Sequence, residues 1–541
     1  MLLLGIWNNL LKKSLSLGNM VKNILFIMCD QLRADYLGCN GHPSISTPNI
    51  DALAQRGVNF TRAYCQAPVC GPSRMSFYTG RYLSSHGSTY NNVPLKLEEW
   101  TLGDYLRPLG TRVGLTGKTH FSPDHQGMQR IGIDPKSSRG ILLSECGFEP
   151  WEKDDGLHPD QSADPEMAYN RYLRKHGYEG ENPWHTAANS VEGPNGEILS
   201  GWQMRHADLP ARVDKEHSET AYMTDRAMDW IDQLGDQSWC LHLSYIKPHW
   251  PYIAPAPYHG LYRSEPILEA NRDDAEKKNP HPVLNAFMNH EESLNFSRDE
   301  VRQTVIPTYM GLITEIDDHL GRLMQFLENR NLLETTMIVF TSDHGDYLGD
   351  HWLGEKELFY DEAVRIPLII VDPDPASDST RGRSDSRMVE SIDLIPTFVE
   401  ALGGESQDHR LEGRSLLGIL RASASHEWRD AVFCEMDYAW RKARLELGLA
   451  PDRCRAFMVR TGEWKYIHFQ DFPPQLFDLK KDPQERSDLG RDPSFRNVCR
   501  EMEGRLSAWL TERKIRTTIT NETVEQRTGT AKERGYLFGV W

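Results

Sequence analysis

Four short apolar runs, each stopping abruptly at chemically capable polar side chains, constrain this chain more than any other feature. Asn23–Cys29 closes on Asp30-Gln31, and Thr111–Leu115 on Gly117-Lys118-Thr119-His120. Trp239–Leu243 leads into Lys247-Pro248-His249, and Met337–Thr341 closes on Ser342-Asp343-His344-Gly345. Short apolar runs without polar alternation fit strands covered on both faces, the usual condition of a parallel sheet. Helical patterns lie between them. Thr47-Pro48-Asn49 opens a helix that Gly57 ends, with Thr47 as its N-cap. Residues 305–329 repeat Tyr309, Leu312, Ile313, Ile316, Leu320, Leu323, Phe326 and Leu327 at helical spacing. This alternation predicts an α/β fold with a large, mostly parallel central sheet flanked by helices. Ligands of such sheets sit beyond the carboxyl ends of the strands, which is where all four polar clusters fall.

From about residue 426 the texture changes. Ala431–Glu435, Ala456–Val459, Trp464–Phe469 and Leu476–Leu479 read as short strands, with Thr461-Gly462 as a hairpin turn, and residues 494–513 as an amphipathic helix. The expected organisation is a catalytic α/β domain over 20–425, a smaller C-terminal antiparallel subdomain over 426–515, and a tail over 516–541. In the extension 1–19, Lys12 and Lys13 follow the apolar residues, the reverse of an export signal. It reads as dispensable, with an amphipathic surface helix as the alternative. The tail segment Gly535–Trp541 is apolar enough to predict docking on its own domain or on a sister subunit, and with the latter a homo-oligomer. Two polar insertions, 121–215 and 259–300, are placed to wall or cover a pocket.

The balance of 61 Lys+Arg against 78 Asp+Glu, a net charge of −17, repels phosphate backbones and anionic lipid. Nucleic-acid and membrane partners are therefore not expected, and no apolar run reaches the ~18 residues of a membrane span. The nine cysteines are scattered and form no C-x-x-C pair, which predicts a reducing, cytoplasmic setting.

The decisive stretch is Cys70-Gly71-Pro72-Ser73-Arg74-Met75-Ser76-Phe77-Tyr78-Thr79-Gly80. Pro72 suits a first helical turn, so Cys70 sits where free N–H groups favour an anion, and Arg74 can fold back to the same point. By themselves these residues fit either an activated thiol or a plain buried one. Asp30, Gln31, Asp343 and His344, following two strands, together offer a mostly oxygen site for a divalent cation.

The Cys70 stretch resembles the type I sulfatase signature, Cys-x-Pro-Ser-Arg then four residues and Thr-Gly, at every defined position. Other stretches are similar to the same family, a branch of the alkaline-phosphatase-like superfamily: Thr47–Leu53, Gly117–His120, Ser342–Gly345, Val364–Leu368, Asp393–Thr397 and Leu476–Leu479. The resemblance covers most of residues 22–515. It implies that a formylglycine-generating enzyme converts Cys70 to formylglycine during maturation. The hydrated aldehyde attacks sulfur, and its second hydroxyl lets the sulfated intermediate collapse with loss of sulfate. It implies one divalent metal at Asp30, Gln31, Cys70, Asp343 and His344. Ca²⁺ is favoured by the family. Mn²⁺ or Zn²⁺ is the alternative, because Gln31 stands where relatives usually carry Asp and the imidazole of His344 softens the site. Arg74, Lys118 and Lys356 are implied to neutralise the transferred group, His120 to deprotonate the intermediate, and His249 to assist the leaving group. Lys247 and His242 are read as structural.

One stretch points sideways. Cys70-Gly71-Pro72 with Asn91-Asn92-Val93-Pro94-Leu95 resembles the phosphonate monoester hydrolase and phosphodiesterase branch, in which an Asn at the Asn91 position holds the transferred group. Lys118 and His120 favour sulfuric esters, with cross-activity on phosphonate monoesters and phosphate diesters. A phosphomutase-like enzyme would use Ser or Thr at the nucleophile position. A non-catalytic homologue would have lost a ligand or Cys70, and none is lost. The substrate class expected is a small anionic ester.

Overall fold

The computed structural model describes residues 21–156, 158, 162–423, 427–537 and 539. The extension 1–19 and the boundary at 425–426 fall outside them. The catalytic sheet is built from β1 (Asn23–Asp30), β2 (Val58–Phe60), β3 (Arg112–Gly117), β4 (Glu149–Lys153), β5 (Trp239–Pro248), β6 (Thr336–Ser342), β7 (Leu368–Val371) and β8 (Arg383–Asp385). Their order is β8-β2-β7-β6-β1-β5-β3-β4. From β6 through β4 the strands run parallel, and β7 turns the sheet antiparallel on either side of itself. The sheet is therefore mixed, with a parallel heart.

Every residue of β1, β5 and β6 is buried, which accounts for their unbroken apolar character. Side chains along β1 serve two cores by simple alternation. Ile24, Phe26 and Met28 pack with Phe77 and Phe398 on one face. Leu25, Ile27 and Cys29 pack on the other with Ile50, Leu53, Met223 and Leu320. The second layer comes from α1 (Pro48–Arg56), α3 (Glu219–Leu234) and α4 (Asp299–Asn329); α2 (Cys70–Thr79) lies against the first.

One expectation needs correction. Thr47 occupies the N-cap position of α1, yet its hydroxyl accepts from Gly38 N (2.9 Å) and donates to Asp51 (3.1 Å). The N–H groups of Asn49 and Ile50 are instead taken by Asp317 of α4, at 3.1 and 2.7 Å. Helix α4 contains the whole periodic stretch 305–329 and begins at Asp299. Acidic Asp299 and Glu300 suit a helix start, and the internal Pro307 does not break it.

The C-terminal sheet is an antiparallel meander of β9 (Ala431–Asp437), β10 (Arg455–Thr461), β11 (Trp464–Phe469) and β12 (Gln475–Asp478). Helix α5 (Arg496–Thr511) covers it with Met502, Leu506 and Trp509. In the tail, Tyr536 and Leu537 are 57% and 65% exposed, so these two do not dock on their own chain. Gly535 (φ 88°) turns the backbone just before them, after the charged run Lys532-Glu533-Arg534. Phe538, Val540 and Trp541 lie outside the described residues. Among the described residues no helix is long and apolar enough to cross a membrane.

Candidate active site

Parallel register brings the strand ends together. Cys29 of β1 lies opposite Ser342 of β6, so Asp30 and Asp343 emerge side by side. Beyond Cys29 the pairing with β5 shifts, and Asp30 faces Pro248, one residue before His249. Helix α2 starts over this edge and is buried along its whole length. Ser73 pins it there by donating to the Asp343 carbonyl at 2.6 Å. Cys70 thereby sits with its sulfur 3.1 Å from His344 Nε2 and 3.7 Å from Asp30 Oδ1.

Asp30, Cys70, Asp343 and His344 offer ligand atoms that all lie within 4.8 Å of one another, and all four residues are buried. His344 Nδ1 meets the Gly345 carbonyl at 2.9 Å; a carbonyl can only accept, so the proton sits on Nδ1 and Nε2 faces the cluster. Gln31, held left-handed at φ 65°, donates its amide to Asp346 at 2.6 Å and turns Oε1 to Lys356 Nζ at 2.9 Å. Two carboxylates, an imidazole and the residue 70 side chain, with an amide oxygen beside them, are a donor set that fits one divalent cation.

The cations differ in what they face. Arg74 donates to Asp343 (2.8 Å), Asp30 (3.0 Å), the Lys118 carbonyl (2.8 Å) and Ser244 (2.8 Å). Two of its five N–H groups thus hold the two carboxylates together. Lys118 Nζ lies 2.6 Å from Asp30 Oδ2. Lys356 Nζ lies 3.0 Å from His249 Nε2. His249 Nδ1 is 2.7 Å from the Trp250 carbonyl and so carries the ring proton, leaving Nε2 as acceptor. His120 (φ 52°) has its backbone N–H bound to Asp155 at 2.9 Å, and its carbonyl lies beside Gly71. Asn91 Oδ1 accepts the Gly71 N–H at 2.8 Å. Every candidate site residue of the sequence is thus gathered around residue 70.

Charge is concentrated here on buried side chains. Burial raises the Cys70 thiol, but Lys356, Lys118 and His344 outweigh that and hold it well below its ordinary value. Burial opposes protonation of His344, yet Asp343 and Cys70 lift it to about 9. Burial and then Lys356 push His249 down to about 3, so its ring is neutral. Burial and the neighbouring Asp30 raise Asp343.

Some supporting residues were not singled out by sequence reasoning. Asp155, inside the first insertion, fixes the Thr119–His120 backbone through two 2.9 Å bonds. Asp346 orients Gln31 and takes Tyr252 OH at 2.6 Å. Asp346 follows Asp343 by three residues and had a spacing signal; Asp155 had none. Lys247 and His242 are structural as expected: Lys247 donates to the Pro251 carbonyl (2.9 Å), and His242 is bonded to Tyr78 (2.9 Å) and stacked on Phe26.

Comparisons with known proteins agree with this geometry. The family model described as Sulfatase matches residues 22–404, and that described as N-sulphoglucosamine sulphohydrolase, C-terminal, matches residues 349–512. The chain is 33% identical to the multifunctional alkaline phosphatase superfamily protein PehA of Trinickia caryophylli, over 90% of this chain and 95% of that one. It is 25% identical to an arylsulfatase of Clostridium perfringens, over 92% and 97%. The solved phosphonate monoester hydrolase of Silicibacter pomeroyi superposes with a TM-score of 0.80 at 29% identity, covering 93% of this chain and 98% of that one.

Proposed function

This chain belongs to the sulfatase family, and we propose that it hydrolyses small anionic sulfuric esters with a formylglycine nucleophile made from Cys70. One observation carries the reading: residue 70, at a helix start, shares a buried cluster with Asp30, Asp343 and His344, and Lys118 and His120 border the same cluster.

The hydrated aldehyde of residue 70 attacks sulfur through one hydroxyl, and the alcohol leaves. A divalent cation held by Asp30, Gln31, residue 70, Asp343 and His344 would supply Lewis acidity to the attacking hydroxyl and to the sulfuryl oxygens. Ca²⁺ is our first assignment by family resemblance, with Mn²⁺ or Zn²⁺ as the rival. Arg74 keeps both carboxylates in place. Lys118 and Lys356 offset charge on the transferred oxygens. The leaving oxygen takes its proton at the His249–Lys356 pair; because His249 Nε2 accepts from Lys356, the ammonium is the proton's reservoir. His120 then removes the proton of the second hydroxyl, and sulfate departs by C–O cleavage, restoring the aldehyde. Cys70 is only 1% exposed, so the maturation enzyme would have to act before the chain closes over it.

A second reading rests on Asn91. Its Oδ1 is bonded to Gly71, which leaves its NH₂ for the transferred group. The likeness to a phosphonate monoester hydrolase supports the same branch. Sulfate monoesters, phosphonate monoesters and phosphate diesters are all tetrahedral monoanions, so one site can serve all three. The deciding experiment compares kcat/KM for an aryl sulfate, a phosphonate monoester and a phosphate diester on one preparation. The aryl sulfate leads if the first reading holds; a lead for either phosphorus ester replaces it with the second. We also propose that the exposed Tyr536–Leu537 segment meets a sister subunit, to be checked by light scattering on the full chain and on a chain ending at residue 531.

A further inference from the structure

A cavity of about 500 Å³ lies where loops of the catalytic domain, the second insertion and the C-terminal subdomain meet. Arg33 and Asp35 reach it from the loop after Asp30-Gln31, and Leu348 and Asp350 from the loop after Asp343-His344. Leu268 comes from the second insertion, and Arg460 of β10, Leu479 and Pro483 from the C-terminal side. Among the described residues, none assigned to the chemistry lines it.

The charged groups of the wall divide by what they already hold. Five are carboxylates, and four of these have partners. Asp35 accepts from Arg33 at 2.9 and 2.7 Å; Asp350 accepts from Arg33 at 2.6 Å and from the Asn271 N–H at 2.8 Å. Asp361 accepts from Lys465 at 2.7 Å and from Tyr64 OH at 3.2 Å. Glu362 accepts from the Asn271 amide at 2.9 Å and faces His351 at 3.5 Å. The fifth, Glu269, is exposed. Five arginines also line the cavity. Arg33 and Arg302 are bonded into the wall, Arg302 to the Leu348 and Leu268 carbonyls at 3.0 and 2.8 Å. The other three are not. Arg62, half-buried, has no side-chain hydrogen bond or ion pair among the described residues. Arg365 pairs with Asp361 at no less than 3.9 Å, and its Nε is buried without an acceptor. Arg460 is 6% exposed; Nη1 donates to the Thr461 carbonyl at 3.0 Å and to Met388 Sδ at 3.4 Å, and its Nε is buried without an acceptor.

Buried donors of a charged group cost free energy until an acceptor meets them. A cation entering here meets three guanidiniums and carboxylates that already have partners. Neutral hydroxyls would fill the open donors with uncharged bonds, whereas an oxyanion fills them with charge-assisted ones about twice as strong. The planar guanidinium fork suits paired oxygens of a carboxylate or phosphoryl group. The wall as a whole is not strongly positive, because Arg33 serves both Asp35 and Asp350, and Lys465 both Asp361 and Glu485. That balance favours a head of one or two charges over a polyanion. The volume is that of a small-molecule site, larger than an inorganic oxyanion fills. We propose that this cavity binds a small organic anion, with its oxyanion head on Arg62, Arg365 and Arg460 and its carbon skeleton against Leu268, Leu348, Leu479 and Pro483. Such an occupant bridges the C-terminal subdomain to the two loops that carry Asp30 and Asp343.

Titration calorimetry on the full chain tests this without turnover. The probes are benzoate, its neutral isostere benzamide, its cationic isostere benzamidine, and inorganic phosphate as a tetrahedral head. We expect an anion to bind about 10-fold tighter or more than benzamide and benzamidine. Arg62→Gln and Arg365→Gln should each weaken that anion about 10-fold or more. Their melting temperatures should stay near wild type, since neither side chain is hydrogen-bonded within the fold. Lys118→Met, at the catalytic centre, should leave the affinity unchanged. A lead for benzoate assigns a carboxylate head, and a lead for phosphate a phosphoryl head. The proposal is overturned if neither anion binds up to about 10 mM, or if benzamide or benzamidine binds as well as the anions. It is also overturned if the affinity survives both arginine variants, or if Lys118→Met abolishes it, which would place the anion at the catalytic centre.

Discussion

Lys118 Nζ lies 2.6 Å from Asp30 Oδ2, with both side chains fully buried, so a cation from the end of β3 is clamped to a carboxylate from the end of β1. Arg74 grips the same oxygen at 3.0 Å. Removing Lys118 therefore leaves Asp30 paired on one side only. Lys118→Met is expected to lower kcat about 10²–10³-fold, as does loss of one preorganised charge at a transferring group. Its cost in stability should stay below the ~3–5 kcal/mol of a buried pair broken outright, because Arg74 remains. Steady-state kinetics beside urea unfolding check both halves. Wild-type kcat in this variant would remove Lys118 from the chemistry.

The nucleophile has a mass signature. The proposed conversion of Cys70 to formylglycine would lower the mass of its tryptic peptide by about 18 Da, the exchange of SH and H for O. Cys70→Ala should fold and lose turnover. Cys70→Ser should at most trap one equivalent of sulfated protein, since a serine ester has no second hydroxyl to expel sulfate. Active enzyme with an intact thiol would end the formylglycine account.

Much of this arrangement was legible beforehand because it is local or periodic. Asp30, Lys118, Asp343 and His344 each follow a buried strand directly, and the ends of parallel strands share one edge of a sheet by construction. What resisted reading is long-range. Asp317 caps α1 from 268 residues away, and Thr47, the obvious local cap, serves Gly38 instead. Asp155 anchors His120 from inside an insertion without any pattern of its own. The full set of Arg74 partners was hidden for a similar reason. Its spacing places it near residue 70, but only the fold shows that the two carboxylates, the Lys118 carbonyl and Ser244 take four of its five donors.

In the proposed mechanism His249 and Lys356, 3.0 Å apart, act on the leaving group as a pair, so their loss should depend on what leaves. His249→Ala and Lys356→Ala should each slow alkyl esters by about 10²-fold or more, while aryl esters with acidic phenols lose much less. A series of substituted phenyl sulfates gives the slope of log kcat/KM against phenol pKa, which should steepen in both variants. Parallel losses across the series would move the pair out of proton transfer.

Chelation should abolish turnover and also lower the melting temperature, because Asp30 and Asp343 then face each other with only Arg74 and Lys118 between them. Restoring activity metal by metal identifies the ion. Recovery best with Ca²⁺ fits the carboxylate pair. Recovery best with Mn²⁺ or Zn²⁺ would show that His344 and Gln31 dominate the preference.

The stability of the catalytic rim should depend on alkaline pH through His351. This ring is fully buried, 2.6 Å from Glu276 and 3.5 Å from Glu362, and stacks on Tyr360 at 3.8 Å. It ties the second insertion, through Glu276, to the loop that carries Lys356. Burial opposes its charge, but Glu362 and Glu276 win and raise it to about 10. A group raised in the folded state stabilises fully below its unfolded value of about 6.5, and that contribution disappears as pH rises through about 10. The melting temperature should therefore fall between pH ~7 and ~10 more steeply in wild type than in His351→Gln. At pH 7 the variant should already be less stable by about 3 kcal/mol, since its two carboxylates are left without a buried cation. If both proteins follow the same curve over that range, His351 is an uncharged imidazole in the native state.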